Sequence, residues 1–88
     1  MKDKVVIITG ANKGIGKEAT REIAKLGAKV YMACRSLDSA NQVKDEIVKE
    51  TGNPNVFVKH LDLASVDSIQ KFAESFKQNE SKLDVLIN

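Results

Sequence analysis

The chain has 88 residues, 42% of them hydrophobic, which is enough for one packed domain and not for two. Its 14 basic and 12 acidic residues are mixed along the sequence and leave a net charge of +2, with no basic block or interleaved aromatics of the kind that binds nucleic acid. A single cysteine, no Cys/His cluster with metal-ligand spacing and no apolar run near the length of a bilayer span point to no structural metal, no membrane segment and a reducing, cytoplasmic setting.

Val5 to Thr9 reads as a buried first strand. After the turn from Gly10 to Gly16, Ile15, Ala19, Ile23 and Leu26 mark one face of a helix that Gly27 can terminate. Lys29 to Cys34 is the second strand. Ser36 or Asp38 can cap a second helix with Ala40, Val43 and Ile47 as its buried stripe, Gly52 beyond its end and a turn at Asn53-Pro54. Val56 to Leu61 follows as the third strand. Ser65 is placed to cap a third helix, with Val66, Ile69, Phe72, Ala73 and Phe76 facing inward, and Leu83 to Ile87 supplies a fourth strand. This alternation predicts an α/β fold: a Rossmann-type parallel sheet in the order 3-2-1-4 with flanking helices, the first part of a doubly wound dinucleotide-binding domain.

The turn Thr9-Gly10-Ala11-Asn12-Lys13-Gly14-Ile15-Gly16 carries the chemistry. Its glycines remove Cβ atoms where a strand turns sharply, where backbone approaches a ligand and where a helix lies close on a sheet. The following helix start points unpaired amides and a partial positive charge at an anionic group such as a pyrophosphate. An ATPase-type phosphate loop does not fit. It needs four residues between glycines and then Lys-Ser or Lys-Thr, but five separate Gly10 from Gly16, and Glu18 follows Lys17.

The spacing of Gly10, Gly14 and Gly16 resembles the Thr-Gly-x-x-x-Gly-x-Gly turn of short-chain dehydrogenases/reductases. Asp62-Leu63 after the third strand and Leu83-Asp84-Val85-Leu86-Ile87-Asn88, similar to the start of the family's Asn-Asn-Ala-Gly segment, extend the resemblance over the whole chain. Lys17-Glu18-Ala19, Val30 to Arg35 and Leu61 to Ser65 look most like the retinol dehydrogenase branch, while carbonyl reductases share Asn12-Lys13-Gly14. Residues 1–88 are then expected to be the N-terminal half of an NADP-binding Rossmann domain. The resemblance implies cofactor contacts from Gly10, Asn12, Lys13, Gly14, Ile15 and Gly16. It also implies that Asp62 meets the adenine amino group, Leu63 flanks the adenine ring and Asn88 supports the cofactor cleft. Asp62 can equally serve as a turn or capping residue, and Asn88 can merely end a strand.

Cofactor choice is legible after the second strand. NAD enzymes place a carboxylate there to accept bonds from the adenosine ribose, whereas this chain has Cys34-Arg35. Arg35 can pair bidentately with a 2′-phosphate that a carboxylate would repel, so NADP is expected over NAD, with Lys13 as a second cation. His60 and Cys34 read as strand side chains.

The family's hydride-transfer chemistry uses a Ser and a Tyr-x-x-x-Lys pair that these residues do not contain. Tyr31, the single tyrosine, has Arg35 four residues on, in a strand where that spacing does not stack side chains. No catalytic residue is therefore assigned. Two functions are open: the cofactor-binding half of an NADP-dependent oxidoreductase acting on a small carbonyl or alcohol substrate, or a truncated, non-catalytic dinucleotide-binding or regulatory module. An under-covered second sheet face and a fourth strand at the edge further suggest self-association or pairing with a complementary fragment. A polypeptide of these 88 residues is predicted to show no NADPH-dependent reduction across a panel of aldehydes, followed by NADPH absorbance. Turnover that survives removal of host reductases would refute this.

Overall fold

The computed structural model describes residues 2–87, so Asn88 lies outside the described residues. Four strands, β1 (Val5–Thr9), β2 (Lys29–Cys34), β3 (Val56–His60) and β4 (Val85–Ile87), alternate with helices α1 (Gly14–Lys25), α2 (Leu37–Thr51) and α3 (Val66–Asn79). All strand pairs are parallel and the order is β3-β2-β1-β4, as expected from the alternation. Two strands are shorter than their apolar runs suggest: β3 stops at His60 rather than Leu61, and β4 begins at Val85 rather than Leu83. Leu61 remains buried and donates its amide to the Cys34 carbonyl at 2.9 Å, so it extends the core without continuing the ladder.

The central strands are apolar on both faces, as a parallel sheet between helices requires. Val6, Ile8, Val30, Met32 and Val56 face α1 and α2 in the larger core, together with Ala24, Ala40, Val43 and Ile47. Val5, Ile7, Tyr31 and Ala33 face the other way, against Phe57, Leu61 and the α3 residues Phe72 and Phe76.

The rotation of α1 differs from the expected stripe. Ile15 is 90% exposed and Leu26 is also exposed, while Thr20 and Ala24 are buried. Gly16 decides this, because it lies directly on the turn below it and brings the line 16, 20, 24 onto the sheet. The Thr20 hydroxyl, which would otherwise be an unpaired polar group in the core, donates to the Gly16 carbonyl at 2.8 Å. Helix α2 buries Ala40, Val43 and Ile47 as expected and ends at Gly52 with φ +73. Ser36, not Asp38, occupies its N-cap position, although the Ser36 side chain makes no capping bond.

Helix α3 also departs from expectation. Only Phe72 and Phe76 pack on the core, whereas Val66, Ile69 and Ala73 are exposed. Its two ends compensate for this shallow contact. Ser65 accepts the Ser68 amide at the start, and at the end Glu80 accepts the Tyr31 hydroxyl at 2.6 Å and pairs with Lys29. The Lys29 ammonium lies 5.9 and 5.5 Å from the Tyr31 and Phe57 ring centres, and Phe76 meets Tyr31 edge-on at 5.3 Å. Two other polar ties close the far end of the sheet. The Asn53 amide nitrogen donates to the Ala24 and Ala28 carbonyls, and the Asp84 carboxylate accepts the Val5 amide. Among the described residues β4 is an outer strand, with Leu86 55% exposed.

Lys29, with Tyr31, holds the Glu80 carboxyl below its ordinary value of 4.5, with burial opposing them. A lowered folded-state pKa contributes stability that is present above the unfolded value and lost as pH falls through the folded one. Glu80→Gln is therefore expected to lower the urea midpoint at pH 7 and to lose that deficit relative to the parent as the pH is taken below 4.5. A pH-independent deficit would refute the charge-based role.

Candidate nucleotide-binding site

The site forms where β1, β2 and β3 end. The turn after β1 is fixed by two contacts and one dihedral: the Gly10 amide donates to Ala33 O at 3.0 Å, Gly16 lies on Gly10, and Gly10 adopts φ +61. A Cβ at Gly16 would come within 2.3 Å of the Gly10 carbonyl oxygen and 2.9 Å of its carbon, both backbone atoms, so the turn and α1 touch at a distance only glycine permits. Lys13, in an extended conformation, precedes the helix, and the first bond into it runs from Lys17 N–H to Lys13 C=O at 3.1 Å. The amides of Gly14, Ile15 and Gly16 therefore lack intrahelical partners. The Ile15 side chain stands in solvent, so its backbone amide is what this residue presents at the turn.

The amides of Ala11 and Asn12 have a different use. They lie toward the buried Cys34 sulfur and draw its pKa down, but burial outweighs them and the thiol is pushed up. Cys34 is thus a neutral plug between β2 and the turn, consistent with a strand side chain rather than a reactive thiol. The Asn12 side chain donates to Ser39 Oγ at 3.1 Å and ties the turn to α2.

Beside the turn is a pocket of about 280 Å³ lined by Gly10, Arg35, Asp62 and Leu63, with Thr9, Ala33, Cys34, Leu61 and Ala64 completing it. The fold thus gathers Gly10, Arg35, Asp62 and Leu63 into one cavity from three strand ends, with Asn12, Lys13, Gly14, Ile15 and Gly16 on the adjoining turn. Lys13 and Arg35 are both exposed, and neither makes an ion pair among the described residues. Asp62 takes the turn role open to it and also stands at the cavity. Its carbonyl accepts the Ser65 amide at 3.0 Å and its Oδ1 accepts the Ala64 amide at 3.0 Å, forming the turn into α3, while the residue also lines the cavity. A larger groove of about 420 Å³ lies between β3 and α3, and His60 faces it rather than the glycine turn.

These features fit a dinucleotide. The glycine contact leaves backbone open to a pyrophosphate, three amides are free to meet it, and the cavity beside it carries the Arg35 cation at the end of β2. Tyr31 is excluded from proton transfer on geometry. It is buried under α3 on Glu80, and burial, then the Glu80 carboxylate, push its phenol up, opposite to what a catalytic tyrosine needs.

The family model described as short chain dehydrogenase matches residues 4–88. The chain belongs to the short-chain dehydrogenase family. Among curated relatives it is 51% identical over 85 residues to human retinol dehydrogenase 11 and 52% identical over the same length to mouse retinol dehydrogenase 12. Each alignment covers 97% of this chain and 27% of the relative, so this short-chain dehydrogenase chain spans about a quarter of their length. Among solved structures, menthone neomenthol reductase from Mentha piperita superposes with a TM-score of 0.90 at 29% identity, over 98% of this chain and 31% of that one. An Escherichia coli CFT073 short chain dehydrogenase complexed with NADPH superposes at 0.89 with 34% identity, over 100% of this chain and 38% of that one. Members of the family thus bind NADP(H) on this framework.

Gly16→Ala is expected to destabilise this short-chain dehydrogenase fold by roughly 1–3 kcal/mol or more, because backbone must move to admit the methyl. Lys13→Ala, on the exposed turn, is expected to stay within about 0.5 kcal/mol. Urea denaturation of both variants checks the contrast.

Proposed function

We propose that the chain is the dinucleotide-binding portion of an NADP(H)-dependent alcohol/carbonyl oxidoreductase of the retinol dehydrogenase type. The observation that carries the cofactor choice is Arg35, a cation without an ion pair among the described residues, lining the cavity at the end of β2 where an NAD-selective site places a carboxylate. In this reading Arg35 and Lys13 hold the 2′-phosphate, and the amides of Gly14, Ile15 and Gly16 meet the pyrophosphate. Asp62 accepts the adenine amino group and Leu63 packs on the ring. The bound cofactor supplies hydride for interconverting an alcohol and a carbonyl compound. The residues described here bind and orient it, and proton transfer to the substrate oxygen falls to groups outside them.

The identity with named retinol dehydrogenases over 97% of the chain supports an oxidoreductase of small alcohols and carbonyls over a non-catalytic module. The same relatives make a retinoid the first substrate to test in a polypeptide of their length.

Titration calorimetry with NADP(H) and NAD(H) tests the cofactor choice. Charge-assisted contacts to the 2′-phosphate are worth about 1.5–3 kcal/mol. Arg35→Ala should accordingly reduce the NADP preference by roughly tenfold or more, at about 1.4 kcal/mol per decade. Unchanged selectivity would move the phosphate to Lys13.

A further inference from the structure

Asp62 is bonded in an uneven way. Its carbonyl and its Oδ1 accept the amides of Ser65 and Ala64, bonds internal to a four-residue turn that would move with it. Its own amide, however, donates to Ser68 Oγ at 2.9 Å, on the first turn of α3. That bond connects Asp62 directly to the helix body. The Ser68 amide makes a separate bond, to the N-cap Ser65 Oγ at 3.2 Å, which belongs to the cap of α3 and not to the link with Asp62. Upstream, the Leu61 amide on the Cys34 carbonyl fixes the chain where it leaves the sheet. With Oδ1 engaged by Ala64, the second carboxylate oxygen, Oδ2, accepts no hydrogen bond among the described residues, although Asp62 lines the cavity at the strand ends.

We propose that Ser68 is a positioning residue for adenine recognition, its hydroxyl holding the Asp62 backbone so that the free carboxylate oxygen is presented to the amino group of the base. This rests on the reading of Asp62 as the adenine acceptor. An ionised carboxylate accepts and cannot donate, so it distinguishes a base with an amino group from one with a carbonyl oxygen there. The direction of the carboxylate sets the discrimination, and Ser68 fixes the direction. Ser65 has a different part: its hydroxyl caps α3 without touching Asp62, and its link to Asp62 is through its own backbone amide.

The test is the ratio of affinities for NADP and for nicotinamide hypoxanthine dinucleotide phosphate, measured by calorimetry on the intact polypeptide. Far-ultraviolet circular dichroism and thermal melts of each variant come first. The parent is expected to favour the adenine form. Ser68→Ala should shrink that preference by about threefold to tenfold, the worth of one well-placed hydrogen bond. Ser68→Thr, which keeps the hydroxyl, should retain it. Ser65→Ala should lower the melting temperature through the lost cap yet leave the ratio unchanged. Should Ser68→Ala fail to fold, Ser68→Cys, of similar size but a weak acceptor, is expected to show the same shrinkage. An unchanged ratio in folded Ser68→Ala or Ser68→Cys, or equal loss in Ser65→Ala, would overturn the positioning role while leaving Asp62 in place. A parent-like ratio in Asp62→Ala would overturn the Asp62 reading itself, and the proposal with it.

Discussion

The contact between Gly16 and the Gly10 carbonyl sets the geometry of everything around it. At that separation no side chain fits, so the first turn of α1 rests on the backbone of the preceding loop. Three consequences follow from this one approach. It rotates α1 so that Thr20 and Ala24 face the sheet, leaves Ile15 in solvent, and aims the amides of residues 14–16 past the end of β1. The core packing of α1 and its capacity to receive an anion are therefore set by the same close approach.

Charge at the site is arranged in the same economical way. The polar groups beside the turn are engaged with protein, Asn12 on Ser39 and the Cys34 sulfur under two amides, while Lys13 and Arg35 are left exposed. A buried thiol stays neutral there, so it adds no negative charge against an incoming phosphate. The acidic group that lines the pocket, Asp62, lies at the end of β3, one strand beyond Arg35, and the two charges come from different strand ends of one cavity.

Much of this was legible from the sequence because strand and helix alternate with clear punctuation. The strand order, the glycine turn and the stripe of α2 followed from runs of β-branched residues, Gly52 and three apolar positions at helical spacing. The faces of α1 and α3 did not follow. Periodicity alone weighs Ile15 and Leu26 above Thr20, since it counts hydrophobicity and not the steric demand of Gly16. In α3 it counts Val66 and Ile69 as core, although the sheet beneath offers contact only to Phe72 and Phe76. The polar ties were out of reach for another reason. Tyr31 with Glu80, Asn12 with Ser39 and Asn53 with the end of α1 join residues 49, 27 and 29 positions apart, and spacing carries no signal over such separations. Ser68 carried only a partial signal: it stands three residues after the N-cap Ser65, where a capping box places Glu or Gln, and its bond to the Asp62 amide is not part of that pattern.

Helix α3 buries none of its residues fully, and it is secured by Ser65 and Ser68 at one end and by Glu80 at the other. An element fixed by its ends places few demands on its middle. Positions such as Gln70, Glu74 and Lys77, all exposed, are free to change charge and size without reaching the cavity wall. Sequence drift among proteins sharing this framework should therefore concentrate along the outer flank of α3, giving each one a different exterior around an unaltered nucleotide cradle.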